Sequence, residues 1–316
     1  MKKFIKDLKV GEVIKDSFLL KKKEMAKTKE GKPYLRVSFA DKTGSVDGMV
    51  WDDAEATDKC IQTGMVVYVS AEVDKYRENI QLKVKSVRAA SDDEYNAEDI
   101  VRTVENGDAI FKNIIGLFES CKSAPVLSLA KRFFGDDELM KRFMRSPGAS
   151  SWHNAYLGGL MEHTWEVMYI VDKVCVLYPQ AHRDVAIMGA FVHDIGKVVE
   201  IDPKTFEYTL YGGLIGHLPL GFEILSKKID EVKDFPDDIA LHLKHIILSH
   251  HGEYEQQSPI LPKTLEATIV YHADDLVSQA NAVKEIIAQQ SPMQKVWSNF
   301  VSIKNRKYLL TKPSSE

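Results

Sequence analysis

All ten histidines of this chain fall between His153 and His272, and the first 152 residues contain none. Within that span, side chains of metal-ligand type recur on successive segments. They are His163 in GGLMEHT, His193-Asp194 in FVHDIGK, His217 in LIGH, His250-His251 in LSHHGE and Asp274 in YHADDL. Imidazole nitrogens and carboxylates together suit first-row divalent ions. A carboxylate can bridge two such ions while histidines cap each one, so one Asp with histidines on both sides makes a two-metal site. A single helical histidine is ordinarily a satisfied core or surface residue. The series, taken together, points to a shared centre.

The elements that must position these groups are helical. The His-Asp doublet closes an apolar run, AIMGAFVHDIGK, where an enclosed cleft can begin. The glycine after it ends the helix and admits a close backbone neighbour. Ser249-His250-His251-Gly252 repeats the arrangement. Helical periodicity begins with an apolar face at Ile110, Phe111, Ile114, Ile115, Leu117 and Phe118 and continues over 125–134 and 136–145. A longer helix opens at Gly158-Gly159 and ends near Pro179, with others near 182–195, 215–232, 237–250 and 263–290. Phe206 to Tyr211 is expected as a strand or hairpin. His242, His245 and His272 read as supporting or surface residues, and His182 as exposed.

Before residue 90 the pattern is period two and rich in Val, Tyr, Phe and Ile, with turn signals at Glu30-Gly31-Lys32-Pro33, Thr43-Gly44 and Thr63-Gly64. Strands are expected near 13–24, 34–41, 44–51, 65–73 and 80–88, with a helical turn at 52–60. That order is expected of an OB-fold barrel, with an SH3-like barrel as the structural competitor. The fold class is therefore multidomain: an all-β barrel over 1–90, an acidic linker over 91–107, an all-α domain over 108–305 with its metal core at 145–285, and a tail at 306–316.

Length and composition agree. A chain of 316 residues with 44% apolar content exceeds one hydrophobic core. Residues 1 to 90 carry 19 Lys+Arg against 14 Asp+Glu, leaving 23 against 32 for the rest, so the two halves suit different partners. Cys60, Cys121 and Cys175 are widely spaced, which fits a reducing compartment and no thiolate zinc site. No apolar run is long enough to span a bilayer, and MKKFIKDLKV is not a signal sequence, so a cytoplasmic protein without membrane partners is expected.

The ordered pattern H…HD…H…HH…D, from His163 to Asp274, resembles the HD superfamily of metal-dependent phosphohydrolases. The wording WHNAYLGGLMEHT, with an OB-fold in front, is similar to the YhaM family of bacterial 3′-to-5′ exoribonucleases over nearly the whole chain. The resemblance implies that His163, His193, Asp194 and Asp274 hold one ion, and that Asp194 bridges to a second held by His217 and His250. His251 is a further ligand or a phosphate contact. Position 159 is Gly where trinuclear members of the superfamily place a carboxylate, so two ions are expected rather than three. Manganese is the first expectation, with Co²⁺, Fe²⁺, Mg²⁺ and Zn²⁺ open.

In the mechanism so implied, Asp194 positions the attacking hydroxide and Lys197 neutralises charge on the transferred phosphoryl group, unless it is a solvated helix-end cation. His153 contacts phosphate or protonates the leaving group, unless it only packs or caps. On the barrel, Lys21, Lys22, Lys23, Tyr34, Trp51, Tyr76 and Arg77 are the expected contacts to a single strand, with Trp51 and Tyr76 as stacking rings. Alternatively, the lysine run is a solvated edge that discourages strand-to-strand association. Phe39, sharing a face with Val37, is expected to be buried.

The expected activity is stepwise 3′ shortening of single-stranded RNA to mononucleotides, with some action on single-stranded DNA, by a homo-oligomer. Two rivals remain at this point: an HD-type phosphohydrolase of a small or cyclic nucleotide, and a non-catalytic single-strand binding protein.

Overall fold

The computed structural model describes residues 2–76, 79–150, 154, 156–290, 296–301 and 305–310. The chain forms two compact units, Met1–Glu105 with Pro203–Glu207, and Asn106–Asp202 with Tyr208–Glu316.

The first unit is a closed five-stranded barrel in the order β1-β2-β3-β5-β4. Its strands are β1 (Val13–Lys27), β2 (Pro33–Asp41), β3 (Gly44–Val50), β4 (Val66–Tyr76) and β5 (Asn79–Ala89), and α1 (Ala54–Cys60) lies between β3 and β4. The first strand serves two neighbours: Val13 to Leu19 pairs with β4, and Leu19 to Lys27 pairs with β2. A register shift between Leu20 and Lys22 lets it turn that corner. Alternation then sends Phe18, Leu20, Leu35, Val37, Phe39 and Val69 into one apolar core, so Phe39 is buried as expected.

The acidic stretch expected as a linker is tied to the barrel. Ser91 and Glu94 form a capping box, and Glu94 pairs with Arg88. The short α2 (Ala97–Ile100) buries Ile100 against Leu19 and Ala40. Tyr95 and Val101, on either side of it, pack against the same cluster, so a few apolar residues dock a segment that has no periodicity to announce it.

The second unit is helical: α3 (Gly107–Glu119), α4 (Ala124–Phe134), α5 (Asp137–Arg145), α6 (Gly159–Leu177), α7 (Arg183–Val192), α8 (Lys197–Glu200), α9 (Leu210–Leu214), α10 (His217–Asp230), α11 (Asp237–Ser249) and α12 (Leu265–Gln290). Central among them is α7, whose residues from Val185 to Val192 are all buried. Phe191 meets the rings of Phe118, Phe133 and Phe143 at centroid distances of 5.4, 5.6 and 5.5 Å. From α3 to α5, Ile114, Phe118, Val126, Leu129, Phe133, Met140 and Phe143 are buried, and Phe111 and Phe118 meet Phe134 edge-on.

Phe206 to Tyr211 does not form the expected strand. Only an isolated bridge joins Ile201 to Tyr208. Phe206 takes a left-handed backbone conformation, with φ of 61°, which ends the extended run. The Thr209 hydroxyl then accepts the Gly212 N–H and starts α9. Among the described residues no helix is long and apolar enough to cross a membrane.

Candidate metal centre

Five helices of the second unit deliver the ligand-type side chains. The second turn of α6 supplies His163, and α7 ends where His193-Asp194 begins. His217 opens α10, His250-His251 follows α11, and Asp274 lies within α12. Glycine controls the closest approach. A Cβ on Gly196 would lie 2.0 Å from the His217 carbonyl oxygen, so only glycine there lets α10 bring His217 to Asp194.

Asp194 sits at the middle with its two oxygens facing different groups. Its Oδ2 is 3.6 Å from His163 Nε2, 3.4 Å from His193 Nε2 and 2.7 Å from Lys197 Nζ. Its Oδ1 is 3.4 Å from His217 Nε2 and 3.5 Å from His250 Nε2. Asp274 Oδ1 joins the first group at 3.0 Å from His163 Nε2. His251 Nε2 joins the second at 3.2 Å from His217 Nε2. All six of the deeper groups are less than a fifth exposed, and Asp194 is 2% exposed.

These residues fit a metal. Donor atoms bonded to one ion at about 2.0–2.2 Å lie roughly 3–3.5 Å from one another when adjacent and about 4 Å when opposite, and the spacings here run from 3.0 Å to 4.0 Å. Asp194 Oδ1 and His250 Nε2 are buried with no hydrogen-bond partner, a costly state that coordination would relieve. The opposite ring nitrogens are held: His193 Nδ1 lies 2.7 Å from Ala190 O, His250 Nδ1 2.8 Å from Ile247 O, and His251 Nδ1 2.9 Å from Gln256 O. Donating there leaves each Nε2 lone pair aimed at the centre.

Charge follows the same plan. Burial pushes the Asp194 carboxyl up, but the Lys197 ammonium and the His193 and His250 imidazoles outweigh it and hold it well below the usual carboxylate range. Asp274 is lowered too, its contact with His163 outweighing burial. Burial drives the His250 imidazole down, and with the neighbouring His250 and His217 it takes His251 to about 3. His193 moves up, because Asp194 overcomes the effect of burial. Ionised carboxylates beside neutral His250 and His251 are the ligating protonation states.

Lys197 also lies on the wall of a cleft of about 590 Å³, with His217, His251 and Glu200. Glu200 was not anticipated. Its Oε1 is 2.9 Å from His217 Nδ1 and accepts the His217 backbone N–H at 2.9 Å, fixing ring and helix start together. Its sequence signal is faint: an acid on α8, a helix too short for periodicity. Position 159 has no room for a side chain, since a Cβ on Gly159 would lie 2.0 Å from Asn154 O. His182 is exposed and caps α7, its Nδ1 accepting the Val185 N–H. His245 Nε2 accepts the Lys263 N–H, and neither His242 nor His272 is in the centre. His153 and Arg77 lie outside the described residues.

On the barrel, the lysine run divides. Lys22 is exposed beside a shallow cavity of about 340 Å³ that it shares with Arg36, Ser38, Asp47 and Gln81. Lys23 is paired with Asp58 at 2.8 Å, and Lys21 lies 5.7 Å from the Phe206 ring. Trp51 stacks on Tyr34 at 4.7 Å and 23°, with Tyr34 buried and Trp51 38% exposed. Tyr34 therefore supports a platform whose outer ring is Trp51. Tyr76 is 60% exposed.

Comparison with known proteins agrees with this architecture. The HD domain family model matches residues 160–278, and the model of an OB-fold nucleic acid binding domain matches residues 19–90. Among solved structures, part of the chain is similar to the second OB-fold domain of replication protein A from Methanococcus maripaludis, 19% identical over 29% of this chain and 96% of that chain, with a TM-score of 0.24. The 3′-5′ exoribonuclease YhaM of Listeria welshimeri is 30% identical over 299 residues, 92% of this chain and 93% of that protein. Its counterpart in Listeria monocytogenes is 31% identical over 300 residues with the same coverage. An alignment of that length spans both barrel and helical unit, and it places the chain in the YhaM family of 3′-5′ exoribonucleases.

Proposed function

We propose that this chain shortens single-stranded RNA from its 3′ end, releasing mononucleotides, with a secondary action on single-stranded DNA. The observation that carries the reading is Asp194, whose two oxygens face two separate histidine groups behind a cleft walled by Lys197. We assign one ion to His163, His193, Asp194 and Asp274, and a second to Asp194, His217 and His250, with His251 completing the second set. Manganese is the proposed metal, since histidine-rich donors are softer than magnesium prefers.

When bound, divalent ions supply the positive charge that activates water and steadies phosphoryl oxygens. The protein's own groups do the rest. Asp194 is held ionised, the state in which both of its oxygens can ligate a metal. Glu200 locks the His217 ring, so this donor pays little reorganisation on binding. Lys197 brings a cation to the cleft wall for a phosphate oxygen. On the barrel, Trp51 and Tyr76 offer stacking faces, and Lys22 and Arg36 offer cations for the backbone. We further propose a cytoplasmic location and a homo-oligomeric state, the second readable by sedimentation.

The test is incubation of 5′-labelled single-stranded RNA with metal-stripped protein, with and without Mn²⁺, beside an Asp194→Ala variant and a panel of free and cyclic nucleotides. Stepwise 3′ shortening that needs both the metal and Asp194 is expected. Intact RNA with a hydrolysed nucleotide would replace this reading with a small-nucleotide phosphohydrolase.

A further inference from the structure

We propose that Tyr208 is the platform on which the base of the 3′-terminal nucleotide stacks while its phosphodiester lies at the metal centre. This rests on the exonuclease reading and adds to it how the terminal nucleotide is recognised.

Tyr208 lines the 590 Å³ cleft together with Lys197, His217 and His251, so a group resting on its ring occupies the same space as one reaching the histidines. The ring is 59% exposed, so most of it is left uncovered by the protein's own side chains. Leu210, Tyr211 and Leu214 are more exposed still but do not line the cleft. Exposure alone therefore does not select Tyr208; position does. Ile215, 46% exposed, is a second apolar side chain on the same wall.

The backbone beneath the ring is fixed. Tyr208 bridges to Ile201, which is 2% exposed. The next residue, Thr209, donates its N–H to Glu200 O at 2.9 Å and its hydroxyl to Val199 O at 2.8 Å. A Cβ on Gly212 would lie 2.1 Å from Glu200 O, so α9 is pressed onto the same residue. Glu200 in turn holds His217 through its carboxylate. The ring and a metal-ligand histidine thus hang from one anchored residue, which sets the distance between a stacked base and the reacting phosphate. Every base has a π-face, so stacking suits an enzyme that must accept all four nucleotides.

The experiment compares kcat/KM for removing the last nucleotide from RNA that ends in a normal nucleotide or in an abasic ribose. It uses the full chain, Tyr208→Ala and Tyr208→Phe, all with Mn²⁺. The wild type and Tyr208→Phe should prefer the normal end by about 5- to 160-fold, the range of one base–aromatic stack. Tyr208→Ala should lose that preference, falling on the normal end while matching the wild type on the abasic one. RNA shortening with the preference intact in Tyr208→Ala would overturn the stacking role alone. Failure of the wild type to shorten any RNA would overturn the exonuclease reading and this inference with it.

Discussion

The barrel and the helical unit use polar residues in opposite ways. The barrel buries an almost wholly apolar interior and keeps its cations outside, where Lys22 and Arg36 border a shallow cavity. The helical unit takes its polar groups inside: His193 is 0% exposed, His250 1% and Asp194 2%. Burying such groups costs several kcal/mol unless partners or ions satisfy them. A fold keeps that arrangement only if the groups act together. Changes in the helical unit should therefore break chemistry outright, while changes on the barrel should weaken capture by degrees.

The largest effect is expected from Asp194→Ala, which removes the one group facing both histidine sets. Activity on labelled RNA should fall more than about a thousandfold, several kcal/mol of transition-state stabilisation. Gly196→Ala comes next. Its methyl group would meet the His217 carbonyl, so calorimetry should show about 1–3 kcal/mol of lost stability together with a loss of metal affinity. Glu200→Gln should keep the fold and cost about 10- to 100-fold in metal affinity or kcat, because His217 loses its orienting charge.

Barrel substitutions sit lower on the scale. Trp51→Ala should weaken binding of single-stranded RNA by about 1–3 kcal/mol and leave kcat untouched, checked by fluorescence anisotropy beside saturating kinetics. Lys22→Ala should act least, lowering the salt slope of binding by about 0.7 for one lost phosphate contact. Lys23→Ala should leave that slope unchanged, because Lys23 is already paired with Asp58.

The same contrast explains what the sequence could reveal. His163, His193, Asp194, His217, His250 and Asp274 stood out because such residue types are rare inside apolar helices, and the fold brings all of them within reach of Asp194 or of His163. The five strands were legible from alternation, since one face of each is buried. Glu200 and Tyr208 were not: α8 spans four residues and has no period to read, and Tyr208 stands in an isolated bridge between α8 and α9. The strand or hairpin expected at Phe206 to Tyr211 is reduced to one antiparallel bridge at Tyr208, beside a left-handed backbone angle at Phe206 that residue type does not announce. The lysine run was misleading in detail: adjacent residues on a strand face opposite ways, and the side-chain partner of Lys23 is fixed only in three dimensions.

The central claim is that one aspartate joins two metal sites, and counting ions tests it most directly. Equilibrium dialysis against Mn²⁺, with the metal quantified per chain, should give two ions for the wild type, one for His217→Ala, and no tightly held ion for Asp194→Ala. Two ions retained in Asp194→Ala, or a fully active wild type holding one, would contradict the account.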